Sequence, residues 1–435
     1  MPKKKTALTI EERLQQALVP AEEQPYEVPE NWVWVRLGAI AEIVTGGTPS
    51  KKHPEYYGGN FPFYKPSDLD QGRLTYDASE YLSEEGKNVS RIIPKNSTAV
   101  CCIGSIGKCG YLMCEGTTNQ QINSAIPKIN SLCLYYYLCT ENFVQDLLSM
   151  ASATTIAIVN KSKMESCAFP LPPLSEQQRI VERIEELLAK LDEAKERLQE
   201  VADSFAVRKA AILHNAFTGE LTKQWRRENG VSDESWEEKK LSEITENQDS
   251  KRIPLSKSQR DNMNRIYDYY GASGIIDKVD DYIFEGKKLL IGEDGANLVT
   301  RSKDIAFIAD GKYWVNNHAH ILDVKDTVLL MYLCNYINNM DLIPYVTGSA
   351  QPKLTQAKMN NIKIFLPTLP EQHEIVRLID DLLARERAAQ QAAEQALASI
   401  DLMKKSILAR AFRGELGTNK ASEASALELL RQVLS

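Results

Sequence analysis

Several short segments contain residue types that bind phosphate or attack a phosphodiester, but each lacks a partner that the chemistry requires. Gly104–Cys109 resembles a phosphate-binding loop, yet it is too short, and Cys109 stands where such loops need serine or threonine. Glu285-Gly286-Lys287 resembles half of a nuclease carboxylate–lysine pair, although such triplets are more often solvated turns. The chain has no NPPY or DPPY tetrapeptide and no FxGxG segment, so its sequence does not predict an adenine methyltransferase.

The histidines and cysteines also lack the spacing of metal ligands. The five histidines form no HExxH motif. His318 and His320 would lie on one face of a strand, which favours contact with DNA or with the core over metal binding. Most of the eight cysteines lie between Cys101 and Cys167 without a CxxC pair, which predicts buried reduced thiols instead of zinc ligands. We therefore expect no metal and no cofactor on this chain.

The elements that must position any functional residue are written twice in the sequence. Leu171–Leu221 returns as Leu366–Leu416 without an insertion, so that Glu176 corresponds to Glu371 along the whole repeat. The ends of the two copies match closely, and most residues between them differ. A length that is kept while the sequence changes indicates that the fold uses this distance twice.

Both copies have the apolar spacing of a long helix that packs against another helix. We expect Ser175 to cap the first helix, and Gly219 and Gly414 to end the two helices. About 40 residues would give a rod of roughly 60 Å. Glu386 is the one position that interrupts the apolar pattern, and the two rods should pair with each other in antiparallel orientation. The expected contact positions are Ile180, Ile184, Leu187, Leu191, Ala194, Leu198, Val201, Phe205 and Ile212, then Ile375, Ile379, Leu382, Ala389, Ala393, Ala396, Ile400, Met403 and Ile407.

Two segments of similar size precede the rods, and they share their ends but not their interiors. Trp32–Ile40 resembles Trp236–Ile244, and Val159–Met164 resembles Leu354–Met359. Between these ends, short β-rich runs alternate with glycine, asparagine and aspartate turns. Two enzyme domains would keep the same active site, so divergent interiors on a shared frame favour two modules that recognise different things.

These blocks resemble the specificity subunit of type I restriction–modification systems. The resemblance is carried by PLPPLSEQQRIVERIEELL and FTGEL with their echoes LPTLPEQHEIVRLIDDLL and FRGEL, and it covers Trp32 to Leu416. It implies a non-catalytic subunit with two target recognition domains, each reading one half of a bipartite, asymmetric sequence in double-stranded DNA. It also implies that the helices set the spacer and dock two copies of the modification methyltransferase, which binds S-adenosylmethionine. Two restriction/translocase subunits, which use ATP and Mg, would join the assembly.

On this basis we expect an α+β fold with two mixed α/β recognition domains, two long antiparallel helices that form a coiled coil, and internal pseudo-twofold symmetry. The expected divisions are an N-terminal segment 1–27, a first recognition domain 28–173, a long helix 174–222, a linker 223–235, a second recognition domain 236–367, a second long helix 368–417 and a C-terminal tail 418–435.

Composition and net charge indicate the number of domains, the cellular location and the strength of the attraction to DNA. A chain of 435 residues with 43% hydrophobic residues should form two or more folded domains. Met1–Lys5 is basic but has no apolar run after it, and no segment is long enough to span a membrane, so we expect a cytoplasmic protein. The net charge of −7 is unexpected for a DNA reader, which suggests that partner subunits supply part of the attraction to DNA.

Candidate DNA-binding residues lie in glycine-flanked turns, where the backbone can approach a ligand closely. Asn, Gln, Lys and Arg side chains suit base edges and phosphates, although the same residue types also make ordinary turns. Asn119-Gln120-Gln121 and Asn316-Asn317-His318 should occupy corresponding places after a strand. The full set is Thr48, Ser50, Lys51, Lys65, Ser67, Ser105, Lys108, Asn119, Gln120, Gln121, Ser273, Glu293, Asp294, Asn297, Arg301, Asn316, Asn317 and His318.

Two other functions remain open from the sequence. One is a coiled-coil scaffold with two protein-recognition modules, which the divergent interiors allow but the matching helix ends disfavour. The other is a fused methyltransferase or nuclease, which the missing motifs disfavour. A methyltransferase partner in the native complex would separate the DNA reader from the scaffold.

Overall fold

The computed structural model describes residues 8–71, 74–152, 157–348 and 351–435, so the basic residues at Met1–Lys5 lie outside the described part. The chain divides into two compact units. The first unit comprises Met1–Arg197 and Ala396–Ser435, and the second comprises Leu198–Gln395. Each unit therefore contains one of the two divergent segments together with part of both long helical regions.

The first unit contains two sheets and a separate strand pair. Its strands are β1 Val33–Arg36, β2 Ala41–Thr45, β3 Tyr57–Tyr64, β4 Leu74–Thr75, β5 Glu80–Leu82, β6 Thr98–Cys101, β7 Cys109–Leu112, β8 Thr117–Thr118, β9 Ile122–Pro127 and β10 Ala168–Leu171. One sheet has the order β2-β9-β6-β7-β4, and the other has the order β5-β3-β8. The antiparallel pair β1-β10 joins the two ends of the divergent segment.

The second unit also contains two sheets and a separate pair. Its strands are β11 Glu237–Lys240, β12 Glu246–Asn247, β13 Tyr267–Gly271, β14 Gly274–Val279, β15 Phe284–Glu285, β16 Lys288–Gly292, β17 Ala306–Ala309, β18 Lys312–Val315, β19 Ala319–Asp323 and β20 Lys363–Leu366. The sheet orders are β12-β19-β16-β17 and β14-β13-β18-β15, and β11 pairs with β20.

The strand connections of the two units correspond, although their sequences do not. The series β2-β9-β6-β7 returns as β12-β19-β16-β17. The parallel pair β3-β8 returns as the parallel pair β13-β18, and the terminal pair β1-β10 returns as β11-β20. The shared ends of the two segments therefore enclose one topology that two different sets of side chains can build.

The helices pack around these sheets and connect the segments. They are α1 Ile10–Ala17, α2 Leu37–Ile40, α3 Glu84–Asn88, α4 Ser131–Leu138, α5 Glu141–Ser149, α6 Lys161–Ser166, α7 Leu174–Asp203, α8 Phe205–Phe217, α9 Lys223–Asn229, α10 Leu241–Ile244, α11 Lys257–Asp261, α12 Asn297–Thr300, α13 Thr327–Asn339, α14 Gln356–Asn360, α15 Leu369–Ala411 and α16 Ala426–Leu434. None of the described helices combines the length and the apolar character that crossing a bilayer requires.

The first long helical region differs from the sequence prediction in two places. It is not one rod, because α7 and α8 are separated at Ser204, whereas its repeat partner α15 is continuous over 43 residues. Ser175 is not the N-cap, because α7 begins one residue earlier at Leu174. The predicted stops are confirmed, since Gly219 and Gly414 follow the helices with φ of +80° and +75°, a conformation that favours glycine.

The apolar positions along the long helices differ in how well they are buried. In the first unit Ile180 and Ile184 are buried, and in the second Ile375 and Ile379 are buried. Val201, near the end of α7, is 38% exposed, whereas Ala393 and Ile400 in α15 are each 3% exposed, so the apolar pattern is covered unevenly.

Polar contacts join the helical segments within each unit. In the first unit Asp192 pairs with Lys404 at 2.6 Å. In the second unit Glu386, the residue that interrupts the apolar pattern, pairs with Arg208 at 2.5 Å. The interruption is therefore filled by an ion pair, which explains why an apolar residue is not required at that position.

A buried glutamate at the start of α7 joins three segments of the first unit. Glu176 is fully buried and accepts hydrogen bonds from the Trp32 indole nitrogen at 2.7 Å and the Asn419 amide at 2.8 Å. It also accepts one from the Thr418 hydroxyl at 3.2 Å. The contacts Glu176–Thr418 and Asp192–Lys404 show that the two helical segments run in opposite directions within this unit.

Its repeat partner makes the same junction in the second unit. Glu371 is fully buried and accepts hydrogen bonds from the Trp236 indole nitrogen at 3.1 Å and the Thr222 hydroxyl at 2.7 Å. The Arg226 guanidinium lies 2.7 Å from the carboxylate. The repeated PLPPLSEQ and LPTLPEQ blocks are therefore explained by a structural need: each places an acceptor where a tryptophan and the residues after the other helix meet.

We expect Glu371→Ala to destabilise the second unit by about 3–5 kcal/mol, because the change leaves the buried donors Arg226 and Thr222 without their acceptor. Urea-induced unfolding of the intact chain measures the loss, and hydrogen exchange locates it in the second unit. The matched control is Asp381→Ala, which removes an exposed pair with Arg385 on the same helix and should cost less than about 0.5 kcal/mol. Equal effects of the two substitutions would show that the buried junction has no special role.

Candidate nucleic-acid interface

The candidate turns of the first unit lie at one end of its sheets. Strands β2 and β6 both pair antiparallel with β9, so both end on the side where β9 begins. Strand β3 runs parallel to β8, with Tyr64 paired to Thr118 at their last residues. The loop after β2, the turn from β6 to β7 and the turn from β8 to β9 therefore meet at the same edge, as does the segment after β3.

Close contact between two of these turns fixes their relative position. The Thr48 hydroxyl donates to the Gln120 side-chain oxygen at 2.5 Å, and the backbone nitrogen of Gly47 donates to the Thr118 carbonyl at 2.8 Å. A Cβ on Gly46 would lie 2.2 Å from the Asn119 carbonyl oxygen, so glycine is required for this approach. Thr48 and Gln120 are exposed next to each other on the resulting edge.

The turn between β8 and β9 recurs between β18 and β19, which confirms that the two polar clusters correspond. Asn119 N donates to the Tyr64 carbonyl at 3.1 Å, and Asn316 N donates to the Tyr270 carbonyl at 3.0 Å. Each asparagine side chain then accepts from the backbone two residues later, at 3.0 Å in the first unit and 2.8 Å in the second. Asn119 and Asn316 are 8% and 4% exposed, so they shape the turns and present the residues that follow.

The same correspondence continues to the neighbouring turn. Cys102 N donates to the Gln121 carbonyl at 2.7 Å, and Glu293 N donates to the His318 carbonyl at 2.9 Å. Cys102 and Glu293 each follow directly after a sheet strand, β6 or β16. The two interiors therefore share backbone hydrogen bonds at the candidate edge, while the side chains there differ.

The candidate lysines of the first unit are held by carboxylates. Lys65 pairs with Glu80 at 2.8 Å, and Lys108 pairs with Asp70 at 2.6 Å. Lys51 has no ion pair among the described residues and is exposed. Ser50, Ser67 and Ser105 are exposed, and Gln121 is half-buried because it is bonded to Asn119.

The candidate residues of the second unit differ in how accessible they are. Ser273 is exposed in the hairpin between β13 and β14, and Asn317 and His318 are exposed in the turn between β18 and β19. The His318 ring contacts Asp294 at 2.8 Å. A cleft of about 420 Å³ opens beside this pair and is lined by Asp294, Gly295, Ala296, His318, Gln351, Pro352 and Lys353.

Three candidates of the second unit are engaged inside the protein. Glu293 is 8% exposed and pairs with Arg252 at 2.7 Å. The Asn297 side chain accepts from the backbone nitrogen of Lys303 at 2.9 Å and so shapes its own loop. Arg301 donates to the carbonyls of two residues at the end of α13, and burial lowers its pKa.

The sequence predicted that His318 and His320 lie on one face of a strand, but the two rings have different environments. His318 lies before β19 and is exposed, whereas His320 lies in β19 and is 1% exposed. The His320 ring contacts Asp249 at 2.6 Å, a residue that sequence analysis did not single out. The alternation of side chains does not extend to His318, which precedes β19, and the strand itself is buried on both faces from Ala319 to Leu322.

Asp249, Glu293 and His320 have potential ligand atoms within 4.8 Å of one another. The Arg252 guanidinium lies between them, 2.7 Å from Glu293 and 3.4 Å from Asp249. Burial alone would raise the pKa of the Asp249 carboxyl, but the hydrogen bond and charge of His320 lower it below its ordinary value. Both carboxylates are thus already paired with the Arg252 guanidinium, and the group forms an ion-pair network.

The sequence motifs that resembled catalytic sites have structural explanations. Gly104–Cys109 forms the turn from β6 to the strand β7, whereas a phosphate-binding loop leads into a helix. Glu285-Gly286-Lys287 turns between β15 and β16, with Gly286 at a φ of +83°. The cysteines are free thiols, and burial raises the pKa of Cys102 to about 12, which disfavours metal binding by that thiolate.

Comparison with known proteins places this arrangement in a family. The sequence profile of the type I restriction modification DNA specificity domain matches residues 29–203 and 233–396. A putative type I restriction enzyme specificity subunit of Haemophilus influenzae is 40% identical over 147 residues, which is 34% of this chain and 37% of that protein. The EcoR124I/EcoR124II specificity subunit of Escherichia coli is 35% identical over 159 residues, which is 34% of this chain and 39% of that protein. These two alignments thus span well under half of each relative.

Other relatives match over most of their length. The EcoDI specificity subunit of Escherichia coli is 25% identical over 424 residues, 90% of each chain. The crystal structure of the HsdS subunit from Thermoanaerobacter tengcongensis aligns with a TM-score of 0.65 at 18% identity, covering 90% of this chain and 99% of that chain. Two matches to the profile, one in each repeat, agree with the repeated topology. The chain therefore belongs to the type I restriction–modification DNA specificity family and contains two specificity domains in tandem.

Proposed function

We propose that this chain is the DNA-specificity subunit of a type I restriction–modification complex and that each unit reads one half of a bipartite target. The observation that carries this proposal is the pair of equivalent turns, Asn119–Gln121 and Asn316–His318, which have the same backbone hydrogen bonds and different exposed side chains. Two turns with the same backbone structure and different side chains suit two half-sites of different sequence, so the target is asymmetric.

The residues proposed to contact DNA are the accessible members of the predicted set. In the first unit the adjacent Thr48 and Gln120 and the free Lys51 present groups that suit a base edge or a phosphate. In the second unit Asn317 and His318 occupy the equivalent turn. Other candidates lie in the same or neighbouring turns, namely Ser50, Ser67, Ser105, Gln121, Ser273 and Asp294. Lys65 and Lys108 would first have to leave an ion pair, and Asn297 and Arg301 would have to leave hydrogen bonds to the backbone. The buried Asn119, Asn316 and Glu293 position the turns.

The long helices are proposed to pair as an antiparallel coiled coil with internal pseudo-twofold symmetry and to set the distance between the half-sites. Support comes from the antiparallel contacts inside each unit, Asp192–Lys404 in the first and Arg208–Glu386 in the second. Repeated helix surfaces offer two equivalent docking sites, so the complex holds two methyltransferase subunits. The exposed apolar residues Val201 and Met403 leave apolar helix surface that a partner could cover.

The chemistry belongs to the partners. The methyltransferase subunits bind S-adenosylmethionine, and two restriction/translocase subunits use ATP and Mg, while this chain binds no cofactor and acts in the cytoplasm. A net charge of −7 and the carboxylates on Lys65 and Lys108 fit a reader whose partners supply much of the attraction to DNA. A scaffold for two proteins has no comparable support, since the family match covers both recognition domains.

The hypothesis that each unit recognises its half-site independently is tested by replacing residues 32–171 with the equivalent segment of another family member. The first half-site should change and the second should stay the same, because the two segments fold in separate units joined by shared helices. Sequencing of methylated adenines in cells that express the chimera with its methyltransferase reports both halves. A change in both halves would contradict the proposal, and a chimera without methylation at any site would require a second donor segment.

Gly46→Ala should weaken recognition of the first half-site by roughly tenfold, about 1.4 kcal/mol. The added Cβ would lie 2.2 Å from the Asn119 carbonyl oxygen, so the turn that presents Gln120 must move. Gly47→Ala is the matched control, because a Cβ there meets nothing within 4 Å. Binding of the complex to duplexes with either half-site altered measures the effect. Equal behaviour of the two alanine variants would remove this edge from the proposed interface.

Inserting four residues after Ala393, close to one helical turn, should lengthen the spacer and leave both half-site sequences unchanged. Four residues add about 6 Å of helix, which is nearer to two base pairs of DNA than to one. Ala393 lies in the continuous helix α15, whereas the equivalent insertion after Leu198 lies six residues before the break at Ser204 and should act more weakly. Methylation mapping of an active variant that kept the original spacer would show that the helices do not set the distance.

A further inference from the structure

A three-residue network joins the recognition edge to the frame in the first unit. The Thr45 hydroxyl donates to the Asn123 side-chain oxygen at 2.8 Å. The Asn123 side-chain nitrogen donates to the Val159 carbonyl at 3.4 Å. These residues belong to β2, β9 and the repeated closing segment, and all three groups are neutral.

The second unit has a network at the same three places, but two of its members are ionisable. The His320 ring contacts Asp249 through Nδ1 at 2.6 Å and the Leu354 carbonyl through Nε2 at 2.7 Å. Leu354 is the repeat partner of Val159.

Strand register shows that His320 and Asn123 are equivalent. Asn123 pairs with Val100, the residue before the last of β6, and His320 pairs with Ile291, the residue before the last of β16. Asp249 then corresponds to Thr45. Thr45 pairs with Asn123, and Asn247 pairs with Leu322 in the antiparallel pair β12–β19, so Asp249, two residues later, comes opposite His320. Its other carboxylate oxygen accepts from the backbone nitrogen of Ile321 at 2.9 Å.

The geometry requires both ring nitrogens of His320 to donate. A carboxylate and a backbone carbonyl only accept hydrogen bonds, so a singly protonated ring would place one lone pair against an acceptor. The ring is 1% exposed, and water cannot replace the missing donor at that depth. Loss of one ring proton therefore breaks a contact instead of weakening it.

Other charged groups around the ring come from three segments. Glu293, after β16, lies 3.8 Å from His320 Nδ1. Arg252 binds Glu293 at 2.7 Å and Asp249 at 3.4 Å, and Lys353 binds Glu293 at 3.1 Å. Burial opposes ionisation of Glu293, but Arg252, His320 and Lys353 lower its pKa below the ordinary value. The His320 ring thus has two carboxylates, one guanidinium and one ammonium group around it.

The network lies directly beneath the residues proposed to read DNA. Glu293 N donates to the His318 carbonyl at 2.9 Å, and Leu354 N donates to the Glu293 carbonyl at 2.8 Å. His318 and Asn317 are exposed immediately above. A change at His320 can therefore reach the β18–β19 turn in two ways: along the chain through Ala319, and across hydrogen bonds through Leu354 and Glu293.

We propose that His320 is a positioning residue that makes reading of the second half-site depend on pH, whereas the neutral Thr45–Asn123 network makes reading of the first half-site insensitive to it. The inference rests on the proposed DNA-reading function. Recognition of the second half-site is strongest while the ring carries both protons, and it declines as the pH rises and one proton is lost.

The test measures discrimination separately for each half-site. The full chain in complex with its methyltransferase is titrated with its mapped target duplex and with duplexes in which one half-site is substituted, between about pH 5 and pH 9, where histidine side chains titrate. For each half, the ratio of affinities for the correct and the substituted duplex cancels the general effect of pH on DNA binding. The ratio for the second half should fall by roughly tenfold with rising pH, and the ratio for the first half should stay constant.

The exchange variant Asp249→Thr with His320→Asn gives the second unit the residues of the first. It should flatten the pH profile of the second half-site, because the neutral pair donates and accepts without titrating. Ring NMR of the unsubstituted chain gives a second measurement, since only five histidines contribute and His320→Asn identifies one signal. That ring should lose its second proton over the same pH interval in which discrimination falls.

Two results with the unsubstituted complex would overturn the inference. One is a constant ratio for the second half-site in the unsubstituted complex, and the other is an equal decline in both halves. If neither half-site is discriminated at any pH, the DNA-reading function itself fails, which is a different outcome. A decline that persists in the exchange variant would assign the pH dependence to another group.

Discussion

A buried carboxylate at the start of each long helical region is the contact on which each unit depends. Glu176 and Glu371 lie where a divergent segment ends, and each accepts a hydrogen bond from the tryptophan that opens the same segment. Each also binds residues that follow the other long helix, Thr418 in the first unit and Thr222 in the second. A unit is therefore closed by three stretches that are distant in sequence. Because a buried carboxylate needs all its donors, this junction tolerates little change, and the sequence around it is what the repeats keep.

The recognition edges tolerate change because backbone groups hold them. The turns at Asn119–Gln121 and Asn316–His318 use matching hydrogen bonds to a neighbouring strand and to the segment after β6 or β16. Such bonds require one asparagine in each turn and impose little on the exposed residues beside it. Divergent interiors can thus keep one topology, and the side chains presented to a ligand can vary without disturbing the frame.

The sequence predicted features that depend on local pattern and missed those that depend on distant partners. Repeat spacing located the long helices and their glycine ends, and the strand-following clusters were correctly matched between the units. The break at Ser204 was missed because the apolar pattern continues through it. Glu386 read as a defect in the pattern, since its partner Arg208 is 178 residues away. The charged network was missed for the same reason, as Asp249 and His320 are 71 residues apart and neither belongs to a motif.

The two units share one topology but differ in where their charged groups lie. The edge of the first unit holds two of its lysines in partly exposed pairs, Lys65 with Glu80 and Lys108 with Asp70. Pairs of this kind contribute little stability, so a phosphate can replace the carboxylate at small cost. The second unit instead buries its charges beneath the turn, where Asp249 and Glu293 cannot be released without unpairing Arg252 and His320. Charged groups at the candidate edge of the first unit can therefore exchange partners with solvent, whereas those of the second unit are held by buried pairs within the same topology.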